Sequence, residues 1–381
     1  MATVVEAVIA GPDLPDRLRA ALDGTGPAVL PVPPGQVVAP VALEGWERGA
    51  ALVITTSGST GVPKSVLLSA AALRASAEAT HDRLGGPGRW LLALPATHIA
   101  GVQVLVRSLV AGTTPAVLDL AAGFRAVTFA TAARPLLAQP GPHYTALVPT
   151  QLSRLLADDP TVLKEFDGVL LGGAATPPPL LEAALAAGIR VVTTYGMSET
   201  AGGCVYDGVP LNGVRVRLAA DQLPEGRFAL TEDRIAESRI ELAGPTLALG
   251  YRGAPFADGW FRTGDLGRFR PDGTLEVLGR ADDMIVTGGE KVPPVLVERA
   301  LAAVPGVREV CVVGVPDPEW GQVVAAAIVA TDPPPSESTL QDAVRSVVGR
   351  AAVPKRVLFL TALPTRGPGK IDRTAVARSF R

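Results

Sequence analysis

Apolar runs of four or five residues alternate with helix-length segments from Ala50 to Ala187, and few architectures accommodate that alternation. Short apolar runs bounded by turn residues read as buried strands, here at residues 50–54, 90–94, 114–118, 145–148, 168–171 and 190–193. Helical segments fall between them at 70–84, 101–111, 150–157 and 178–187. The last starts on Pro177-Pro178-Pro179 and stops at Gly188, the expected proline-first, glycine-last punctuation. Strands separated by crossover helices imply a parallel-rich sheet covered by helices. Residues 1–49 carry only weak patterning, with a linker-like Pro31-Val32-Pro33-Pro34-Gly35.

The texture changes after Gly203. Short β-type segments at 215–218, 227–230, 239–243 and 275–278 are separated by turns such as Pro271-Asp272-Gly273, which reads as a small antiparallel sheet or barrel. Beyond Asp282 a compact α+β unit begins. It has a helix bounded by Pro293-Pro294 and Pro305-Gly306, strands at 309–315, 323–330 and 356–360, and a helix opened by the capping box Ser338-Thr339-Leu340-Gln341. A polar tail ends in Gly369-Lys370. The expected fold is therefore a large N-terminal α/β domain with a small β subdomain, residues 1–281, followed by a small mobile α+β C-terminal domain, residues 282–381.

Composition narrows the function classes. A net charge of −2 with acids and bases interspersed offers no basic footprint for nucleic acid, and no apolar run approaches the ~20 residues of a membrane span. Cys204 and Cys311 have no metal spacing and no disulfide framework, and His81, His98 and His143 stand apart, so a reduced cytoplasmic setting without a histidine-built metal centre is expected.

The stretch Thr55-Thr56-Ser57-Gly58-Ser59-Thr60-Gly61-Val62-Pro63-Lys64 gathers hydroxyls, glycines and a terminal cation, the groups a polyphosphate needs. Its spacing is not that of G-x-x-x-x-G-K-[ST], since the fifth residue after Gly58 is Pro63. Residues 65–68 read as a second strand and Ser69 as the N-cap of the next helix, so anion binding would rest on the loop and Lys64 with little help from a helix dipole. A Gly/Ser-rich surface turn is the rival reading.

Five landmarks in order, Thr56 to Lys64, Tyr195-Gly196-Met197-Ser198-Glu199-Thr200, Thr263-Gly264-Asp265, Gly279-Arg280-Ala281-Asp282-Asp283 and Gly369-Lys370, resemble the adenylate-forming superfamily of acyl-CoA synthetases, peptide-synthetase adenylation domains and luciferases. The N-terminal portion departs from it, being shorter than the family's usual one. The resemblance implies ATP, Mg²⁺ and coenzyme A as cosubstrates. Thr56, Ser57, Gly58, Ser59, Thr60, Gly61 and Lys64 would face the leaving pyrophosphate. Ser198 would donate to the α-phosphate, and Glu199 would hold Mg²⁺. Tyr195, Gly196, Gly173 and Ala174 would border the adenine, and Asp265 and Arg280 would take the ribose. Lys370 would serve the adenylation step on a domain that turns about Asp282, and Gly288 and Gly289 would line the pantetheine path in the thioester step.

Pro95-Ala96-Thr97-His98-Ile99-Ala100-Gly101 is similar to the family segment at the mouth of the acyl pocket, which makes His98 a gate or carboxylate contact. Gln103 and Arg107 share one face of the following helix and would meet a second carboxylate on the substrate. With the wording Gly288-Gly289-Glu290-Lys291-Val292, these features resemble the short o-succinylbenzoate–CoA ligases of menaquinone biosynthesis. Three alternatives stay open: a ligase for another aryl or aliphatic acid, an adenylation enzyme loading a carrier protein, and a non-enzymatic binding module. A homodimer is compatible with the sequence.

Overall fold

The computed structural model describes residues 3–36, 38, 39, 41–57, 63–219, 237–366 and 370–380, with the backbone alone at Thr3, Ser57, Arg366 and Lys370. It divides into two compact units. The first comprises Met1–Gly173, Ala184–Arg217 and Glu241–Arg262; the second comprises Ala174–Ala183, Leu218–Ile240 and Thr263–Arg381.

The alternating pattern of the first unit folds as its periodicity demands. One sheet takes the strands Ala116–Val117, Arg89–Leu92, His143–Leu147, Gly168–Leu171 and Val191–Met197 side by side, each parallel to its neighbour. Both faces of such a sheet are covered, so its strands are continuous apolar runs; every residue of His143–Leu147 and Gly168–Leu171 is buried. Gly202–Tyr206 then adds antiparallel to Val191–Met197. The helix Ala70–Leu84 starts where Ser69 accepts a hydrogen bond from the Ala72 amide at 3.1 Å, and it ends on Gly85 in the left-handed region at φ +96°.

A second sheet runs from Ala254–Pro255 through Gly250–Tyr251, Pro63–Ser69, Ala50–Ser57, Ala28–Val32 and Thr3–Ile9 to Val41–Leu43. The weakly patterned N-terminal region is thus regular structure: Thr3–Ile9, the helix Leu14–Leu22 and Ala28–Val32 form a parallel βαβ unit. Pro31 and Val32, expected in a linker, close the strand Ala28–Val32. Pro31 stands opposite Val8, whereas the pairing to Ala50–Ser57 lies further back, at Val29 opposite Leu52, so a residue without an N–H is tolerated there.

A helix at Ala126–Leu137 went unread because Pro135 lies inside it and no side chain caps its start. Pro135 lies in the last turn, where it forfeits its own amide bond to the carbonyl of Thr131 but leaves the preceding turns intact.

In the second unit, residues 238–240, 263–269 and 275–280 belong to one sheet, and the expected strand 227–230 lies outside the described residues. Trp260–Phe269 and Leu275–Arg280 form an antiparallel hairpin. Gly264 and Gly267 disguised the first of these strands as a turn. A Cβ on Gly264 would come within 2.5 Å of the Arg280 guanidinium, and one on Gly267 within 2.8 Å of Ile240, so both glycines serve close packing inside a strand.

The C-terminal part packs the helices Pro294–Ala302 and Glu337–Val347 on one face of a sheet built on Val307–Asp317 and Gly321–Ala330. The capping box is displaced from its expected position. Ser336, not Ser338, is the N-cap and accepts from the Thr339 amide at 3.2 Å, while Gln341 donates to the Pro354 carbonyl. In the segment read as a polar tail, Lys370–Ile371 pairs antiparallel with Thr365–Arg366, and beyond it Asp372 caps the helix Arg373–Arg378. Among the described residues, no helix is long and apolar enough to cross a membrane.

Candidate active site

The strands Ala50–Ser57 and Pro63–Ser69 form an antiparallel hairpin in which Thr56 stands opposite Lys64, its hydroxyl donating to the Lys64 carbonyl at 3.3 Å. Gly58, Ser59, Thr60 and Gly61 lie outside the described residues, as does the side chain of Ser57. Lys64 is exposed, with its ammonium 4.9 Å from the centre of the Tyr251 ring.

Tyr195 and Gly196 lie within the strand Val191–Met197, not after it. Gly196 has a structural reason of its own: a Cβ there would sit 2.1 Å from the Gly202 carbonyl oxygen, at the register shift between this strand and Gly202–Tyr206. Ser198–Thr200 follow as a single 3₁₀ turn organised by Thr200, whose hydroxyl receives the Met197 amide at 3.0 Å and reaches the Gly202 carbonyl at 2.7 Å. Ser198 is buried, whereas Glu199 is partly exposed and accepts from the Tyr251 hydroxyl at 2.7 Å. Gly173 and Ala174 follow the strand Gly168–Leu171; Gly173 has φ +80° and Ala174 is exposed.

His98 is exposed and precedes the helix Ile99–Val110 without capping it through its side chain. Gly101 lets the first turn of that helix approach the preceding loop, since a Cβ would lie 2.3 Å from the Pro95 carbonyl. Gln103 and Arg107 are fully buried on this helix. Among the described residues, both amide atoms of Gln103 and the Nε of Arg107 have no hydrogen-bond partner, and the indole nitrogen of Trp90 and the Nε2 of His81 share that condition. Arg107 donates to the Tyr206 hydroxyl at 3.3 Å and lies 5.0 Å over the Trp90 ring. Burial pushes its pKa down from the arginine range against the pull of Tyr206, and among the described residues no carboxylate pairs with it. The Tyr206 hydroxyl also meets Thr80 at 2.9 Å, Thr80 donates to the Ser76 carbonyl, and Ser76 donates to the Ala201 carbonyl at 3.0 Å. This buried chain pins the far end of the turn that carries Ser198 and Glu199, at Ala201, a non-glycine residue held at φ +53°.

In the second unit, Asp265 and Arg280 face each other across the hairpin register, 3.6 Å apart, and Arg280 also reaches Asp282 at 3.4 Å. The two expected ribose groups are therefore one ion pair. Asp282 is exposed in the turn Ala281–Asp283. Gly288 and Gly289, at φ +56° and +82°, make the two-residue turn joining Ile285–Thr287 to Glu290–Val292, a geometry that requires positive φ at both central residues. A Cβ on Gly288 would also strike the Trp320 ring at 2.6 Å. The side chain of Lys370 is not described.

Comparison with known proteins decides what these groups belong to. Residues 16–252 match the AMP-binding enzyme family, and residues 296–370 match the AMP-binding enzyme C-terminal domain. The chain is 48% identical over 377 residues to the "Probable 2-succinylbenzoate--CoA ligase" of Mycobacterium tuberculosis, covering 95% of this chain and 94% of that one. The chain belongs to the AMP-binding enzyme family. A second member of this family, the 2-succinylbenzoate--CoA ligase of Enterococcus faecalis, is 31% identical over 344 residues, covering 85% and 68% of the two chains. Among solved structures, o-succinylbenzoate CoA synthetase from Bacillus subtilis in complex with the acyl-adenylate intermediate OSB-AMP aligns with a TM-score of 0.73 at 26% identity, covering 97% of this chain and 82% of that one. An amide bond synthetase from Marinactinospora thermotolerans aligns with a TM-score of 0.77 at 28% identity, covering 98% and 80%.

Two features of this AMP-binding enzyme escaped sequence reasoning. Tyr251 sits in a Gly-Tyr pair with no motif strength of its own, and Ser76, Thr80 and Tyr206 read as ordinary core positions. The thiols are chemically quiet: burial pushes Cys204 and Cys311 up to about 12. His81 carries a testable consequence. Burial, and then the Arg107 guanidinium, depress its pKa from 6.5 to about 4, against a smaller pull from Asp82. Because the folded value lies below the unfolded one, the unfolded chain takes up the proton first. Its contribution to stability is therefore intact above pH 6.5 and lost as pH falls from 6.5 to 4. The loss is about 2 kcal/mol by pH 5 and about 3 kcal/mol below pH 4. Urea titrations between pH 7 and 5 are expected to show a shallower stability loss for His81→Gln than for the parent protein; equal slopes would refute the assignment.

Proposed function

We propose that the chain is an acid–thiol ligase that activates 2-succinylbenzoate with ATP to an acyl-adenylate and transfers the acyl group to coenzyme A, releasing pyrophosphate and AMP. The observation that carries the substrate is the 48% identity over nearly the full length of both chains to a protein named for that activity. The buried Arg107 supports it physically, as a cation with no paired carboxylate among the described residues, beside a Gln103 amide that has no partner among them. A buried cation of this kind is costly until an anion meets it, and the second carboxylate of an aromatic dicarboxylate is such an anion. His98, exposed at the start of the same helix, is assigned to the carboxylate that reacts.

The remaining roles follow residue by residue. Lys64, with Thr56 and Ser57 through Gly61, counters the leaving pyrophosphate. Ser198 serves the α-phosphate, Tyr195, Gly196, Gly173 and Ala174 the adenine, and Asp265 with Arg280 the ribose. Among the described residues no group of three or more metal-ligating side chains comes together. A single carboxylate at Glu199 suits Mg²⁺, which is held largely by substrate phosphates and water and would neutralise charge on them. Lys370 serves adenylation, Gly288 and Gly289 the thioester step, and Asp282 the change between them. The domains on this reading are 1–281 and 282–381, consistent with family matches ending at 252 and resuming at 296.

A panel of carboxylic acids assayed for ATP- and CoA-dependent AMP release tests the reading, with 2-succinylbenzoate expected to give the highest kcat/KM. Release that needs a carrier protein in place of free CoA would overturn it. Arg107→Ala is expected to raise KM for 2-succinylbenzoate about tenfold or more, the loss of one charge-assisted contact, while Tyr206→Phe leaves KM within about twofold. An unchanged KM in Arg107→Ala would remove the pairing with the second carboxylate.

A further inference from the structure

Lys64 and Glu199 are 135 positions apart in the sequence, and one side chain touches both. Gly250–Tyr251 pairs antiparallel with Pro63–Ser69, placing Tyr251 opposite Val66 and Gly250 opposite Leu67, and the Arg252 amide continues the ladder to the Ser65 carbonyl at 2.9 Å. Residues two apart on a strand share a face, and directly opposed residues project to the same side. Tyr251 therefore lies on the face that carries Val66 and Lys64, diagonal to the lysine, which is how its ring comes within 4.9 Å of the ammonium. At its other end the hydroxyl donates to Glu199 at 2.7 Å. The backbones are tied as well, because the Ala248 amide donates to the Glu199 carbonyl at 2.9 Å. Phe256 holds the ring edge-on at 5.3 Å and is itself stacked on Phe261 at 4.8 Å. Gly250 permits the tight return of this segment, since a Cβ there would meet the Ala254 carbonyl at 2.4 Å.

We infer that Tyr251 is a positioning residue that sets Lys64 and Glu199 as a pair, its ring seating the lysine ammonium and its hydroxyl fixing the rotamer of the carboxylate. The ring is an attractive but undemanding platform for a cation, so Lys64 stays available to an anion. The hydroxyl occupies one oxygen of Glu199 and leaves the other for a cation. This inference rests on the reading of Lys64 and Glu199 as the phosphate-side and metal-side groups.

Two variants separate the two ends of the side chain. Tyr251→Phe keeps the ring and removes the hydroxyl; Tyr251→Leu removes both. Calorimetric titration with pyrophosphate in the absence of metal reads the lysine end, and Mn²⁺ binding to the enzyme–ATP complex by electron paramagnetic resonance reads the carboxylate end. Tyr251→Phe is expected to bind pyrophosphate within about twofold of the parent and Mn²⁺ about five- to tenfold more weakly. Tyr251→Leu is expected to lose about two- to fivefold in pyrophosphate affinity as well. Placed on a Lys64→Ala background, Tyr251→Leu should cost pyrophosphate binding nothing further. Equal effects of Tyr251→Phe and Tyr251→Leu on both ligands, or unchanged Mn²⁺ binding in Tyr251→Phe, would overturn the proposal. Tyr251→Phe alone suffices should the leucine variant fail to fold. If Lys64→Ala and Glu199→Ala themselves leave pyrophosphate and Mn²⁺ binding unchanged, the underlying reading fails instead.

Discussion

Lys370→Ala is expected to slow acyl-adenylate formation by about 10²–10³-fold, the usual cost of removing a charge aimed at the transition state, while thioester formation from a preformed adenylate keeps its rate. The residue stands where the family resemblance puts a lysine, and its place in the chain is defined. It opens the strand Lys370–Ile371, opposite Arg366, and Asp372 caps a helix directly after it. The measurement is a pair of single-turnover assays, pyrophosphate release from ATP and acid, and CoA-dependent consumption of synthetic acyl-adenylate. Equal loss in both assays would mean that Lys370 is not confined to the first half-reaction.

The second large effect concerns what anchors that lysine. Arg373, three residues on, makes a two-pronged contact with Glu298, at 2.7 and 3.0 Å to its two oxygens, and donates to the Val312 carbonyl at 2.7 Å. Glu298 in turn accepts from the Val312 amide at 2.8 Å. Burial opposes the arginine's charge, yet Glu298 with its hydrogen bonds overrides it and raises the pKa above the ordinary value. Glu298→Ala removes the two-pronged partner of a half-buried guanidinium, which keeps the Val312 carbonyl and Asp283, and leaves the Val312 amide without its acceptor, at an expected cost of about 2 kcal/mol to the second unit. Hydrogen exchange should show faster exchange across Arg373–Arg378 and Val307–Asp317. Adenylation should fall while thioester formation is spared, because the loosened segment carries Lys370. Unchanged protection of Arg373–Arg378 would show that the ion pair does not anchor the helix.

Glu276 illustrates a different use of charge in the same unit. Burial would raise its pKa, but Arg268, Arg299 and Arg270 overcome that and hold it below the ordinary carboxylate range. Arg299 bonds both this carboxylate and the Val277 carbonyl, tying the helix Pro294–Ala302 to the strand Leu275–Arg280. Neither cluster carries a motif, and the contacts to Arg299 and Arg373 join residues too distant in sequence for local patterning to reveal.

How far the chain could be read from its letters follows from the range of the forces involved. Apart from the helix Ala126–Leu137, the strands and helices between Ala50 and Ala187 came out close to their observed bounds because their cause is local: apolar residues at period 2 or in short runs, a serine N-cap, a glycine stop. Motif order was legible for the same reason, since Tyr195 to Thr200 and Thr263 to Asp265 are contiguous. Where glycine or proline sat inside a strand or helix instead of at a turn, at Pro31, Pro135, Gly264 and Gly267, the local rule misled, because the same residue meets two different needs.

Partnerships were decided by tertiary structure alone. Tyr251 reaches Glu199 across 52 positions, Arg107 reaches Tyr206 across 99, and Thr80 reaches Tyr206 across 126. Contacts of that span exist only once the sheets are in register and the helices have been pressed against them. Residue types and their order were enough to place the chain in its family. The posture of Glu199, the seat of Lys64 and the buried setting of Arg107 depended on burial and long-range pairing, which no local window of sequence contains.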